Sequence, residues 1–168
     1  MILSQFLHSD PIAASYFVAS AGHAAAAVVD PVGDIAPYRA LAEATGTKIR
    51  YVIDMRLHAD HVSAPRDLTS ATGADYVLFA DAKVGFPFHG VRDGELLDLG
   101  NVSIKALHTP GHTPEHHFTR CHRPHAWRRT VVRPDRHGVR CLLPDMARKA
   151  STGSGATSVM RSEPYLPA

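Results

Sequence analysis

A chain of 168 residues with 45% apolar and 20% charged content holds one domain with a real core, and no apolar run nears the roughly 20 residues that would span a bilayer. The net charge of +2 conceals an asymmetry: residues 1–118 carry 8 Lys/Arg against 13 Asp/Glu, whereas residues 119–168 carry 10 against 3. The start lacks a basic segment followed by an apolar one, and Cys121 and Cys141 are the only cysteines, so a cytoplasmic location with reduced thiols is expected.

In chain order, Ile2 to Phe6 and Tyr16 to Ala19 read as short strands, and Ala24 to Val29 as a buried strand ending at the turn signal Asp30-Pro31. Asp34 caps a helix whose apolar face is Ile35, Tyr38, Leu41 and Ala42, and Gly46 stops it. The β-branched run Lys48 to Ile53 returns as a strand. Ser63 is the expected N-cap of a helix reaching Thr72, with Pro65 in its first turn, Asp67 near its positive end and Gly73 closing it. Tyr76 to Phe79 reads as the next strand. Residues 85–90 read as a loop in which Phe86 and Phe88 are anchors. Asp93-Gly94 then opens a hairpin of Glu95 to Leu99, the turn Gly100-Asn101, and Val102 to Leu107, the last strand alternating apolar and polar residues.

The chemistry sits at two strand ends. Directly after Ile53 comes Asp-Met-Arg-Leu-His-Ala-Asp-His, which places His58, Asp60 and His61 within four positions. About fifty residues on stands Thr109-Pro110-Gly111-His112-Thr113. Imidazole and carboxylate donors at a strand end are what zinc or iron accepts. Strand ends are also where layered α/β proteins carry their sites.

These stretches resemble the His-x-His-x-Asp-His signature and the following ligand turn of the metallo-β-lactamase fold. With the opening Met1 to Phe6 and the run Ala26 to Pro31, the chain is similar to the glyoxalase II and persulfide dioxygenase branch over about residues 1–118. The resemblance implies an α/β fold, an αββα sandwich that is incomplete here, and a metal set of His58, Asp60, His61 and His112, with Asp60 also catalytic. It implies Zn(II) or Fe(II) as the cofactor and a small thiol-derived substrate, a glutathione-type thioester or persulfide. The hydrolases of this fold make hydroxide from water for attack on a thioester.

One departure is chemical. Arg56 stands where the signature has its first His, and a guanidinium neither loses its proton nor binds a cation. Within about 4 Å of a divalent ion it repels by several kcal/mol even at an effective dielectric near 20. The bridging Asp of the family is also missing from its usual Gly-Asp-x-Leu-Phe context, with Asp145 the nearest candidate. Impaired activity, or a truncated relative without turnover, is therefore the competing expectation.

Residues 119–168 read as a separate, irregular Arg/His/Pro-rich tail. They contain no Ile, include the linker-like Ser151 to Gly155, and offer only Ala126-Trp127, Thr130 to Val132 and Val139 to Leu143 as short strands. His116-His117, His122, His125 and His137 read as part of a solvated basic segment. The tail has no nucleic-acid reading motif and no aromatic interleaving, so neither nucleic acid nor membrane is an expected partner. Sheet faces left uncovered by an incomplete fold would favour self-association. The break in composition fits a shift of reading frame just after codon 115. That idea requires another frame downstream to encode a Gly-Asp-x-Leu-Phe-like run followed by a helical pattern, and translating the gene in all frames decides it.

Overall fold

A computed structural model describes residues 1–57, 64–111, 113–122, 130–135 and 138–142. Among the described residues, eleven strands form two sheets, with two helices on the outer face of the first. The hairpin of β1 (Ile2–Ser9) and β2 (Ile12–Ser20) turns at Asp10-Pro11 and pairs in register from Ile2↔Ala19 to Ser9↔Ile12. β3 (Ala25–Val29) adds antiparallel to β2. Helix α1 (Ala36–Ala44) then carries the chain to the parallel strand β4 (Lys48–Ile53), and α2 (Pro65–Thr72) carries it to β5 (Asp75–Phe79), also parallel. β6 (His89–Val91) completes the first sheet, in the order β1-β2-β3-β4-β5-β6. The second sheet is antiparallel throughout, in the order β11-β10-β9-β8-β7, with β7 (Leu96–Asp98), β8 (Ser103–His108), β9 (His117–His122), β10 (Thr130–Asp135) and β11 (Gly138–Leu142).

Strand periodicity divides the apolar side chains between two layers. On the inner face Tyr16, Val18, Ala27, Val29, Ile53 and Val77 of the first sheet meet Leu97, Leu99, Ile104, Ala106 and Cys121 of the second. On the outer face Phe17, Val28, Ile49 and Val52 meet Tyr38 and Ala42 of α1 and Leu68 of α2. The central strands β3, β4 and β5 are thus covered on both faces, which is why they read as continuous apolar runs rather than alternating ones. Their small residues, Ala25 to Ala27, suit this crowded position despite a low strand propensity.

The helices begin as local chemistry dictates, with one revision. Asp34 Oδ1 accepts from the Ala36 amide at 2.9 Å, capping α1 as expected. α2 has Ala64, not Ser63, at its N-cap position and no side-chain cap. Pro65 in the first turn supplies a helical φ and has no donor to satisfy. Ser63 itself lies outside the described residues. Gly73 closes α2 at φ 68°, donating its amide to the Thr69 carbonyl. At the Gly100-Asn101 turn the glycine is required twice: its φ is 86°, and a Cβ there would collide with the His23 side chain.

Two other expectations change. Residues 89–91, expected as loop, form β6, which is too short to show a period and contains a glycine. Phe86 and Phe88 nevertheless anchor this region, half-buried against Tyr76, Leu78 and Ala82. The basic segment does not lose its pattern at 118: β9 runs through that point and pairs with β8 as far as Ser103↔His122. β10 and β11 correspond to the two short strands expected at 130–132 and 139–143. Residues 143–168, including Asp145 and the Ser151–Gly155 run, lie outside the described residues.

His117 is the polar exception in the core. Expected in a solvated segment, it is fully buried on the inner face of β9, in line with Thr119 and Cys121, because strand alternation puts it there. Neither ring nitrogen makes a hydrogen bond. Burial pushes its pKa down to about 4. The Asp30 carboxylate and the Glu115 carbonyl pull it upward too weakly to compensate, while His116 and His108 add to the depression.

Two outcomes follow from this packing. Ile104→Ala should lower the unfolding free energy by about 2–5 kcal/mol in urea titration; a loss below roughly 0.5 kcal/mol would show that the second sheet is not packed on the first. For His117, the unfolded chain takes up a proton near pH 6.5 that the folded chain refuses until about pH 4. Its contribution is constant above pH 6.5, and stability is lost as pH falls through that window, by at most roughly 3 kcal/mol. His117→Ile should remove this slope relative to the parent, and parallel stability profiles between pH 7.5 and 4.5 would refute it.

Candidate functional site

β3, β4 and β5 run parallel, so their C-terminal ends lie together at one edge of the first sheet, and both motif-bearing turns meet there. Asp30, the first residue past β3, adopts φ 47°, a left-handed conformation uncommon for a residue with a side chain. Three bonds fix it. Its amide donates to the Ile53 carbonyl at 2.8 Å. Its Oδ1 accepts from the Met55 amide at 2.8 Å. Its carbonyl accepts from the Ser15 hydroxyl at 2.6 Å.

Ser15 lies 2.9 Å from His8 Nε2 and 2.9 Å from the Tyr38 hydroxyl, a grouping that has the makings of a nucleophile and its base. Ser15 is fully buried, and its proton is committed to the Asp30 carbonyl. The group is therefore a buttress for Asp30. Burial raises the Tyr38 pKa, so its hydroxyl stays protonated and available to the network.

The segment after β4 is held from several sides. The Asp54 amide donates to the Val77 carbonyl at 3.1 Å, and Asp54 Oδ2 accepts from the Tyr76 hydroxyl at 2.7 Å. Burial, then the Asp54 carboxylate, push the Tyr76 pKa far up, so this donor is permanently protonated. Tyr76 stacks on Phe86 at 5.5 Å, with the Arg66 guanidinium 4.9 Å over the other ring. The Ala64 amide donates to the Pro31 carbonyl at 3.2 Å.

The second turn closes on itself. The Thr109 amide donates to the His116 carbonyl at 3.0 Å, and His116 Nδ1 lies 3.0 Å from both the carbonyl and the hydroxyl of Thr109. His108 Nε2 lies 2.9 Å from the Pro114 carbonyl, and its ring stacks on Phe79 at 4.1 Å. Two hydrogen bonds then tie this turn to the first motif. The His117 amide donates to the Met55 carbonyl at 3.0 Å, and the Leu57 amide donates to Glu115 Oε1 at 3.4 Å. Burial works to raise the Glu115 pKa, but hydrogen bonds led by that from its own amide outweigh it and hold the carboxyl below its ordinary value. Glu115 is thus an acceptor at neutral pH.

The four residues expected as metal ligands, His58, Asp60, His61 and His112, lie outside the described residues. Arg56 is half-buried, two positions past Asp54. Among the described residues no group of three or more His, Cys, Asp or Glu side chains could hold a metal ion. Three imidazoles and a carboxylate at the motif positions form a donor set suited to zinc or iron, and the orphaned, neutral imidazole of His117 beneath the same turns fits a cation as well. Arg56 does not fit one.

Sequence reasoning missed the supporting residues. Asp30 was visible as a turn signal, while Tyr76, Glu115 and the burial of His117 left no local mark. No helix among the described residues is long and apolar enough to cross a membrane.

No family model matches the chain. It is 35% identical over 96 residues to a hydroxyacylglutathione hydrolase of Methylobacillus flagellatus, covering 56% of this chain and 38% of that protein. It is 30% identical over 91 residues to the human mitochondrial persulfide dioxygenase, covering 53% and 35%. A protein of Burkholderia pseudomallei named as a metallo-hydrolase is 28% identical over 189 aligned positions, covering 88% and 62%. The chain therefore spans between about a third and three fifths of the length of these relatives. Among solved structures, a metallo-β-lactamase from Staphylococcus aureus superposes with a TM-score of 0.71 at 27% identity, covering 77% of this chain and 41% of that one. Two facing sheets, helices outside the first, and two joined motif turns at its strand ends place the chain in the metallo-β-lactamase fold superfamily, as a partial relative of the hydroxyacylglutathione hydrolases and persulfide dioxygenases.

Proposed function

We propose that the chain is a metal-dependent hydrolase of glutathione-type thioesters, in which His58, Asp60, His61 and His112 hold the metal and Asp60 also takes the proton of the attacking water. The observation that carries this reading is the pair of hydrogen bonds, His117 amide to Met55 carbonyl and Leu57 amide to Glu115, which fastens the two motif turns together. The identity to a hydroxyacylglutathione hydrolase supports the substrate class. When bound, zinc(II) or iron(II) supplies Lewis acidity and lowers the pKa of water.

The chain's own groups do the rest. Asp30 and Asp54 hold the backbone leading into His58, and Glu115 holds the same backbone from the opposite sheet. Water adds to the thioester carbonyl, the carbon–sulfur bond breaks, and the thiol leaves with the proton while a carboxylic acid remains. In this reading residues 1–118 are the working half-domain and residues 119–168 a basic tail.

Arg56 favours a second reading, a relative without turnover, because its charge stands at a ligand position. Metal quantification on the purified chain, alongside hydrolysis of a hydroxyacylglutathione thioester and oxygen uptake with glutathione persulfide, separates the possibilities. Arg56→His should raise metal content toward one equivalent and thioester turnover by at least about tenfold. A metal-loaded Arg56→His variant that hydrolyses no thioester would defeat the hydrolase reading, and oxygen uptake by it would point to the dioxygenase.

A further inference from the structure

Resting on the reading of these turns as a metal site, we propose that His117 is an additional nitrogen donor to that metal, occupying the place in the donor set that Arg56 leaves empty. The reading begins from an anomaly. Buried polar groups almost always find a partner, and an imidazole with both nitrogens orphaned in a packed core calls for a specific explanation, of which an ion is one. His117 is fully buried, yet it does not sit deep between the sheets. It is the first residue of β9, and its amide is bonded to the carbonyl of Met55, the residue immediately before Arg56.

The surroundings favour a cation. Asp30, the nearest acidic influence on the ring, lies at the end of β3 on the same edge. Phe79 lies 5.9 Å from the ring on the β5 side, and Thr119 follows on the same face, its hydroxyl directed at Met55 Sδ at 3.8 Å. Neither Phe79 nor Thr119 satisfies the imidazole. The ring is neutral down to about pH 4, so its nitrogen lone pair faces no competition from protons at neutral pH. A neutral imidazole is also the form in which histidine ligates zinc or iron.

The position is unusual in a second way. On a strand whose alternate residues, Thr119 and Cys121, line the core, an apolar side chain would pack at 117 without loss. His117→Ile therefore removes the candidate donor and two unsatisfied polar atoms while keeping a strand-forming residue. The variant should fold, and its metal-free form should unfold at a higher temperature than the parent.

The test uses the full chain stripped of metal and titrated with Co(II) or Zn(II), in competition with a chromophoric chelator. Co(II) visible bands and thermal unfolding, with and without metal, are followed in parallel. We expect His117→Ile to bind at least about tenfold more weakly, to change the Co(II) bands, and to gain less thermal stability from metal than the parent, although its metal-free form is the more stable of the two. A purely structural histidine would raise metal-free stability without moving affinity or spectrum. Equal affinity and an unchanged spectrum would make His117 a chance core residue and overturn the proposal, as would a parent chain that binds no metal. Because none of these readouts is turnover, an inactive protein that binds metal through His117 would refute the hydrolase reading and leave this one standing.

Discussion

Asp30 is the constraint on which the candidate site depends. One residue joins β3 to β4 through its amide, the first motif to the sheet through its carboxylate, and the N-terminal hairpin to both through its carbonyl. Meeting all three partners requires φ 47°, a conformation that costs a residue bearing a Cβ about 1 kcal/mol or more. Short hydrogen bonds in a buried setting offset that cost, and the Ser15–His8–Tyr38 group holds the carbonyl side of the arrangement rigid. The fold is thus stiffest where the chain leaves the sheet for the first motif.

The layered architecture was legible in the sequence because it rests on periodicity. Lys48 to Ile53 was recovered to the residue, and the hairpin around Gly100-Asn101 within one position at its inner ends, since β-branched runs and a required glycine leave local marks. β6 was not legible, because three residues around Gly90 carry no period and are held by pairing with β5. The continuation of the second sheet past residue 118 was obscured by arginines and prolines; β10 and β11 exist through ladder bonds that composition does not disclose.

The site divides in the same manner. The motif residues were legible as chemistry, because imidazoles and a carboxylate at such spacing have few other uses. The groups that hold them were not, because each acts across sequence separations that spacing cannot show: Asp30 on Met55, Tyr76 on Asp54, Glu115 on Leu57. His117 shows the limit of composition most directly. Read among neighbouring histidines and arginines it belongs to solvent, and only strand parity, fixed by the pairing of His108 with His117, turns it inward.

The pairing of Tyr16 with Val29 has a consequence for shape. Residues 12–15 of β2, and with them the last residues of β1, continue beyond the end of β3 on the side where Asp30 lies, an overhang of roughly 13 Å. Leu7 and Ile12, each 78% exposed, point from this overhang toward the side of the second sheet. The edge of the candidate site is therefore lopsided in its wetting: hydrocarbon stands on the hairpin side, and the polar turn of Thr109 to His116 stands on the other. A molecule with one greasy end and one hydrogen-bonding end would meet a surface already sorted to match it.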